Sequence, residues 1–224
     1  MMSGYTADDL WPSLDESEGR IPCFPSGPVW SVLPTLKGQM ADMLADIGEN
    51  IRDGVSIDST NGIVHIDDSA VIEPFVHIIG PAYIGPNATI RQGAYIREYS
   101  WICANSLVGH ASETKHSILL PGSKAPHFNY VGDSVLGPRV NLGAGVKLSN
   151  LRNDGGEVRT RKALKLLGAK SISTGLRKFG AIIGEDSQLG CNTVTNPGVV
   201  LGPRCMVNPN TTVTGIYEPD SKIR

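Results

Sequence analysis

Residues 66–112 read IDDSAVIEPFVHIIGPAYIGPNATIRQGAYIREYSWICANSLVGHAS. Within them Ile66, Ile72, Ile78, Ile84, Ile90, Ile96, Ile102 and Val108 recur at every sixth position without a break. Four residues after each stands a small side chain, Ala70, Ala82, Ala88, Ala94, Ser100, Ser106 and Ser112, with Val76 the exception. A helix spaces its apolar residues by three and four and a half-buried strand alternates in twos, so a strict six fits neither. It is the hexapeptide signature of a parallel β-helix, in which each unit is one short strand and a turn and three units close a coil. The aliphatic residue points into the prism and the small one lets the chain turn the corner. The ladder is core packing, since a single coil cannot bury its inner face alone.

Outward from this stretch the period slips over Gly109–Leu120, resumes at Leu136, Leu142 and Leu148, and after a gap returns at Ile183, Leu189, Thr195, Leu201, Val207 and Val213. Each slip predicts a loop leaving the prism. The expected organisation is an N-terminal arm and amphipathic helix over residues 1–60, a β-helix over 61–214 with a basic insertion at about 153–177, and a C-terminal tail over 215–224. In the arm, Pro12, Pro25, Pro28 and Pro34 indicate irregular chain. Leu36, Met40, Met43, Leu44, Ile47 and Ile51 then fall at helical spacing, with Asp42, Asp46 and Glu49 between them, predicting an amphipathic helix from Thr35 to about Ile51. Solenoid ends need lids, so the helix is expected to cap the open first coil.

The insertion carries Arg159, Arg161, Lys162, Lys165, Lys170, Arg177 and Lys178 against Asp154 and Glu157. A charged hairpin explains such a run. Its departure just after the coils bearing His127 also suits closure over a phosphorylated ligand.

The 224 residues and formal net charge of -2 suit one repeat domain and supply no global field for nucleic acid or an anionic membrane. No apolar run reaches the length of a membrane span, and the start MMSGYTADDL is acidic where a secretory signal is basic, so a cytoplasmic protein is expected. Cys23, Cys103, Cys191 and Cys205 have neither CxxC nor Cys/His spacing, which points to reduced thiols rather than a disulfide frame or zinc site.

Glu113, Lys115, the run Gly122-Ser123-Lys124-Ala125-Pro126-His127, Tyr130, Gly132-Asp133 and Asn141-Leu142-Gly143-Ala144-Gly145 closely resemble the acetyltransferase domain of the bacterial bifunctional enzyme that makes UDP-N-acetylglucosamine. The resemblance runs with gaps from about Ile66 to Val213. It implies a left-handed parallel β-helix, usually a homotrimer, that moves acetyl from acetyl-CoA to the amine of glucosamine 1-phosphate, without a metal. With the helix read above, the expected fold is an all-β solenoid, a left-handed parallel β-helix of hexapeptide repeats with an N-terminal α-helical cap, and the expected substrate is glucosamine 1-phosphate or galactosamine 1-phosphate. The handedness comes from the resemblance, not from the period. The family's glycine-rich nucleotidyltransferase domain has no counterpart in residues 1–60, so no uridylyl transfer is expected of this chain.

By the same resemblance His127 is the catalytic base and Glu113 the carboxylate that orients it, while Arg97, Lys115, Tyr130, Asn141 and Lys178 grip the sugar phosphate. Ala144, Asn150 and Cys191 stand at the cofactor. The residue types suit these roles. A sugar ammonium has no lone pair until a group titrating near neutrality removes its proton, and guanidinium and ammonium groups neutralise a phosphate. Two departures touch the cofactor side: Leu151-Arg152 follows Asn150 where the family has an aromatic and an aspartate, and Cys191 replaces a serine. Two other readings of the fold remain at this point. One is a carbonic anhydrase-like metal enzyme using histidines from among His77, His110, His116 and His127. The other is a non-catalytic trimeric assembly or regulatory module.

Overall fold

The structure is a computed structural model describing residues 5–15, 17–161 and 171–224. Its core is a left-handed parallel β-helix built from three eight-stranded parallel sheets. Sheet I runs from Ser56–Asp58 through Tyr95–Ile96, Glu113–Lys115 and Tyr130–Gly132 to Thr212–Val213. Sheet II runs from Val64–Ile66 through Ser100–Ile102 and Ser117–Leu119 to Ile216–Tyr217, and sheet III from Val71–Ile72 through Lys124–His127 and Asn141–Leu142 to Lys222–Ile223. The chain visits I, II and III in turn. Ile66, Ile78, Ile84, Ile90, Ile96, Ile102 and Val108 are fully buried in the single inner core cluster, as the six-residue period requires.

The slip at Gly109–Leu120 is not a loop. Ala82 pairs with Ser100, eighteen residues on, but Ser100 pairs with Ser117 and Tyr130 with Lys147, each seventeen on. One residue has been dropped from a side of the prism. The inward positions pass from Thr114 to Leu119 and from Val131 to Leu136, steps of five in place of six, and all four side chains are fully buried. Both shortened sides lie at the corner between sheets I and II, where His116 (φ 45°) and Asp133 (φ 46°) take the left-handed conformation. An aspartate tolerates that conformation better than most side chains. The ladder therefore continues without an excursion, and the shortening pulls the corner inward.

The gap after Leu148 is a true excursion. The chain leaves the prism, pairs Leu151 with Lys178 in an antiparallel bridge, and forms a two-stranded antiparallel ribbon from Arg159–Thr160 and Ile172–Ser173. Lys162, Lys165 and Lys170 lie outside the described residues. Residues 215–224 are no tail: Ile216–Tyr217 and Lys222–Ile223 extend sheets II and III as the last turn. The solenoid also starts ahead of residue 61, with Ser56–Asp58 paired to His77–Ile79.

The arm begins with α1 (Ala7–Leu10) and continues to α2 (Val32–Ile47). Leu33, Leu36, Met40 and Leu44 of α2 are buried against an outer cluster that includes Tyr83, Trp101, Ile118, Val135, Ile182, Val200 and Ile216. These seven come from the strands of sheet II and face away from the prism core. None of the buried residues of α2 belongs to the inner cluster, so the helix covers the flank of sheet II rather than the open end of the first coil. The cause is the outer row itself, which is apolar along nearly the whole solenoid. Burying each such side chain contributes about 1.5–3 kcal/mol. Trp11 Nε1 donates to Ile183 O at 3.0 Å and Trp101 Nε1 to Arg20 O at 2.9 Å, fastening the arm at two levels. Val158, Phe179, Ile172 and Leu176 of the insertion join the same cluster. No described helix is long and apolar enough to cross a membrane.

Candidate active site

Sheet I and its two bordering corners carry the predicted side chains, and they divide into two groups. The first surrounds Asp133 at the shortened I–II corner. Its carboxylate is 6% exposed; Oδ1 accepts from His116 Nδ1 at 2.8 Å, Oδ2 accepts from Asn150 Nδ2, and Lys115 Nζ stands 3.9 Å from Oδ2. Burial pushes this carboxyl upward, but the hydrogen bond and charge of His116, the charge of Lys115 and the Asn150 amide hold it below the ordinary carboxylate range. Asn150 also donates to the Tyr130 hydroxyl at 3.3 Å. Burial and the neighbouring Glu113 and Asp133 carboxylates raise the Tyr130 phenol.

Lys178 arrives from the far end of the insertion. The bridge to Leu151 and the Phe179 N–H donating to Asn150 O at 2.9 Å return the chain beside Lys115. Gly180 then passes so close to sheet I that a Cβ there would stand 2.3 Å from Gly132 O. Lys115 and Lys178 line the same cavity. Burial, with Lys178 and Arg97 as like charges, holds the Lys115 ammonium below the usual lysine range, against the pull of Asp133. Two ammonium groups on one cavity wall, with the Asp133 carboxylate beside Lys115, suit an anion bound between them.

Arg97, one turn earlier, donates from Nη1 to Glu113 Oε1 at 2.9 Å and lies 3.6 Å from Glu98. That bond is the first cause of its raised pKa. Glu113 is thus engaged by Arg97, and no hydrogen bond joins it to His127, so the expected orienting contact is not formed within this single chain.

The second group lies at the corner between sheets III and I. His127 ends its strand exposed to solvent, in register with His110, and its ring has no hydrogen-bond partner among the described residues. Its backbone is held firmly. His127 N donates to Asn129 Oδ1 at 3.0 Å, and buried Asn129 donates in turn to Gly143 O at 2.8 Å. Gly145 N donates to His127 O at 2.9 Å, and Asn192 N to Ala144 O at 2.8 Å. His127, Ala144 and exposed Cys191 therefore occupy successive levels of one edge. A Cβ at Gly143 would meet Cys191 N at 2.5 Å, so only glycine permits this coil spacing. Asn141 pairs with Lys124 and Gln188 on the adjoining face of sheet III. The first group and His127 sit on opposite borders of a sheet whose strands there are three residues long, about 7–10 Å across.

Between the I–II corner, α2 and the end of the insertion lies a cavity of about 720 Å³. Lys115, His116, Asp133 and Lys178 line it, together with Lys37 and Arg177, which composition and resemblance did not single out as ligands. Asp133 and Asn129 were also missed as organisers. A signal existed for Asp133, a charged residue where the period shortens, but its partners come from the turns on either side of it. Among the described residues no three His, Cys, Asp or Glu side chains converge as a metal-binding group. Of the four histidines considered for a metal, His77 bonds Ser56, His110 bonds Gln92 O and His116 bonds Asp133. All four cysteines are free, Cys23 and Cys191 exposed, Cys103 and Cys205 buried.

The model for the bacterial transferase hexapeptide (six repeats) matches residues 63–98 and 180–215. The chain carries the hexapeptide repeats of the bacterial transferases. It is 35% identical over 189 residues to a bifunctional sugar-1-phosphate nucleotidylyltransferase/acetyltransferase of Sulfurisphaera tokodaii, covering 84% of this chain and 45% of that protein. It is 33% identical over 195 residues to the bifunctional protein GlmU of Methanococcus vannielii, covering 87% and 45%. The hexapeptide chain thus spans a little under half the length of these relatives. Solved structures align more loosely; the acetyltransferase domain of PglB from Neisseria gonorrhoeae matches at 16% identity and a TM-score of 0.34, covering 92% of this chain and 79% of that one.

Proposed function

We propose that this chain is an acetyl-CoA-dependent N-acetyltransferase acting on an amino-sugar 1-phosphate, either glucosamine 1-phosphate or galactosamine 1-phosphate. The observation that carries the reading is that Lys115 and Lys178, sixty-three positions apart, line one cavity, at the corner where Asp133 gathers Lys115 and the Tyr130–Asn150 pair. A structural solenoid gains nothing from holding two ammonium groups together, whereas a phosphate between them offsets their repulsion. Relatives named for sugar-1-phosphate nucleotidylyl and acetyl transfer support the substrate class.

In this mechanism His127 takes a proton from the sugar ammonium. The freed amine attacks the thioester carbonyl of acetyl-CoA, the C–N bond forms, the C–S bond breaks, the nitrogen releases its second proton to leave the amide, and the departing thiolate takes up a proton. Direct attack is favoured because, among the described residues, the one serine or cysteine hydrogen-bonded to a histidine ring is Ser56, on His77 of the first turn and away from His127, so the site has no paired acyl-enzyme nucleophile. Glu113 acts on this side only if a neighbouring copy changes its pairing, which fits a homotrimer with the site between protomers. Sedimentation should show the trimer, and a fully active monomer would overturn that part. Cys191, Ala144 and the narrow Gly143–Gly145 edge form the proposed path of the pantetheine arm. The insertion serves as a wall of the sugar-phosphate site.

The deciding experiment is acetyl-CoA consumption across a panel of amino-sugar 1-phosphates and their unphosphorylated sugars. Turnover restricted to phosphorylated amino sugars is expected. Equal use of the free sugars, or no thiol release with any of them, would refute the reading.

A further inference from the structure

The cavity beside the I–II corner carries more positive charge than the proposed clamp uses. Four cations line it, Lys37, Lys115, Arg177 and Lys178, against two carboxylates, Glu98 and Asp133. Both carboxylates are already engaged, Glu98 facing Arg97 at 3.6 Å and Asp133 bonded by His116, Asn150 and Lys115. Lys37 and Arg177 have no carboxylate partner among the described residues. The lining therefore carries an excess of positive charge, which suits a phosphomonoester dianion.

Lys37 is not placed there by the repeat. It comes from α2, whose apolar face is seated on sheet II through Leu33, Leu36, Met40 and Leu44. Its ammonium lies over the Tyr99 ring, 4.7 Å from the centroid, and the Tyr99 ring meets His116 edge-on at 6.0 Å. Tyr99 holds the left-handed corner position directly above His116 and Asp133 in the stack (φ 62°). The same packing that covers the flank of sheet II therefore aims a cation at the corner. Arg177 lines the cavity from the insertion, where its Nε donates to Gly155 O at 3.2 Å.

We propose that the N-terminal arm is part of the ligand site, with Lys37 supplying a cation to the bound phosphate alongside Lys115 and Lys178, and Arg177 lining it from the insertion. The substrate class this selects is a phosphomonoester carried on a small polar body, and the inference rests on the sugar-phosphate reading above. Lys37, Lys115 and Lys178 line one cavity, so a single anion held there is attracted by all three.

The test is calorimetric titration of inorganic phosphate, glucosamine 1-phosphate and unphosphorylated glucosamine into wild type, Lys37→Met, Lys37→Arg and Lys222→Met. Lys222 is exposed on the last strand of sheet III, remote from the corner. Lys37→Met should weaken both phosphate-bearing probes about three- to tenfold at low salt, the range of one charged contact at a partly exposed site. The loss should shrink as added salt screens it. Lys37→Arg should keep wild-type affinity, which separates charge from folding, and Lys222→Met should change nothing. Unphosphorylated glucosamine should be indifferent to all three. Unchanged phosphate affinity in Lys37→Met, with Lys115→Ala impaired, overturns the inference and leaves the sugar-phosphate reading standing. Phosphate binding that depends on Lys37 in a protein that transfers no acetyl group supports the anion site and refutes the transferase. A wild type that binds neither phosphate probe overturns the inference.

Discussion

Replacing Asp133 with asparagine removes a nearly buried negative charge from the I–II corner while preserving shape. The wild-type carboxylate accepts from His116 Nδ1 at 2.8 Å and from Asn150 Nδ2, with Lys115 Nζ 3.9 Å away. An asparagine keeps one oxygen. It can accept from His116 or from Asn150, but its amide then faces the other donor. One charge-assisted hydrogen bond is lost and one donor is set against another, so the expected cost is about 2–3 kcal/mol. For a chain of this size that lowers the midpoint of thermal unfolding by roughly 5–10 °C.

The pH dependence has a definite sign. The Asp133 carboxyl is held below its ordinary value, so its contribution is complete above the unfolded aspartate pKa of about 3.9 and is lost as pH falls through the folded value. Circular-dichroism melts of wild type and Asp133→Asn should therefore differ at neutral pH and draw together in acid. Equal midpoints at pH 7, or a gap of undiminished size in acid, would refute the assignment of Asp133 as the charged centre of this corner.

His127→Ala should reduce acetyl transfer by about a hundredfold or more with amino-sugar phosphate affinity nearly intact, measured as kcat against binding by calorimetry. Cys191→Ala should leave single-turnover transfer unchanged, and an acetyl group trapped on Cys191 would contradict direct attack. Arg97→Ala should weaken sugar-phosphate binding about tenfold with little effect on acetyl-CoA, because the charged contact it would make is worth about 1.5–3 kcal/mol. Burial and its cationic neighbours hold Lys115 below the ordinary lysine range, so phosphate affinity should begin to fall at a lower pH than an ordinary lysine would give. Lys115→Arg should push that decline to higher pH, and titrations between pH 7 and 10 check it.

The solenoid was legible in one dimension because its period is local: each aliphatic residue from Ile66 to Val108 must face inward, and the turn that follows needs only a small or left-handed residue. What the period could not tell was the meaning of its own irregularities. The slip after Val108 and the gap after Leu148 look alike in the chain, yet the first drops one residue from a corner and the second opens a long excursion. Only strand register distinguishes them. The outer row of sheet II, from Tyr83 to Ile216, was written in the sequence at a coil's spacing, but without the coils stacked it was not visible as a single apolar face. The placement of α2 followed from that face.

The candidate site divides in the same manner. Motif resemblance, carried by residue type and spacing, was enough to point to His127, Arg97, Lys115 and Tyr130. Tertiary structure decided that Lys178 returns to Lys115, that Asp133 ties His116, Asn150 and Lys115 together, that Glu113 pairs with Arg97, and that Lys37 reaches the same cavity from the arm. Burial of an inward side chain is decided by its own turn and its nearest neighbours, and so leaves a periodic trace in the sequence. The charge pairs of the corner join residues about one coil apart, but which of them form depends on the register at the shortened sides, and Lys37 and Lys178 come from segments outside the repeat, which no period encodes.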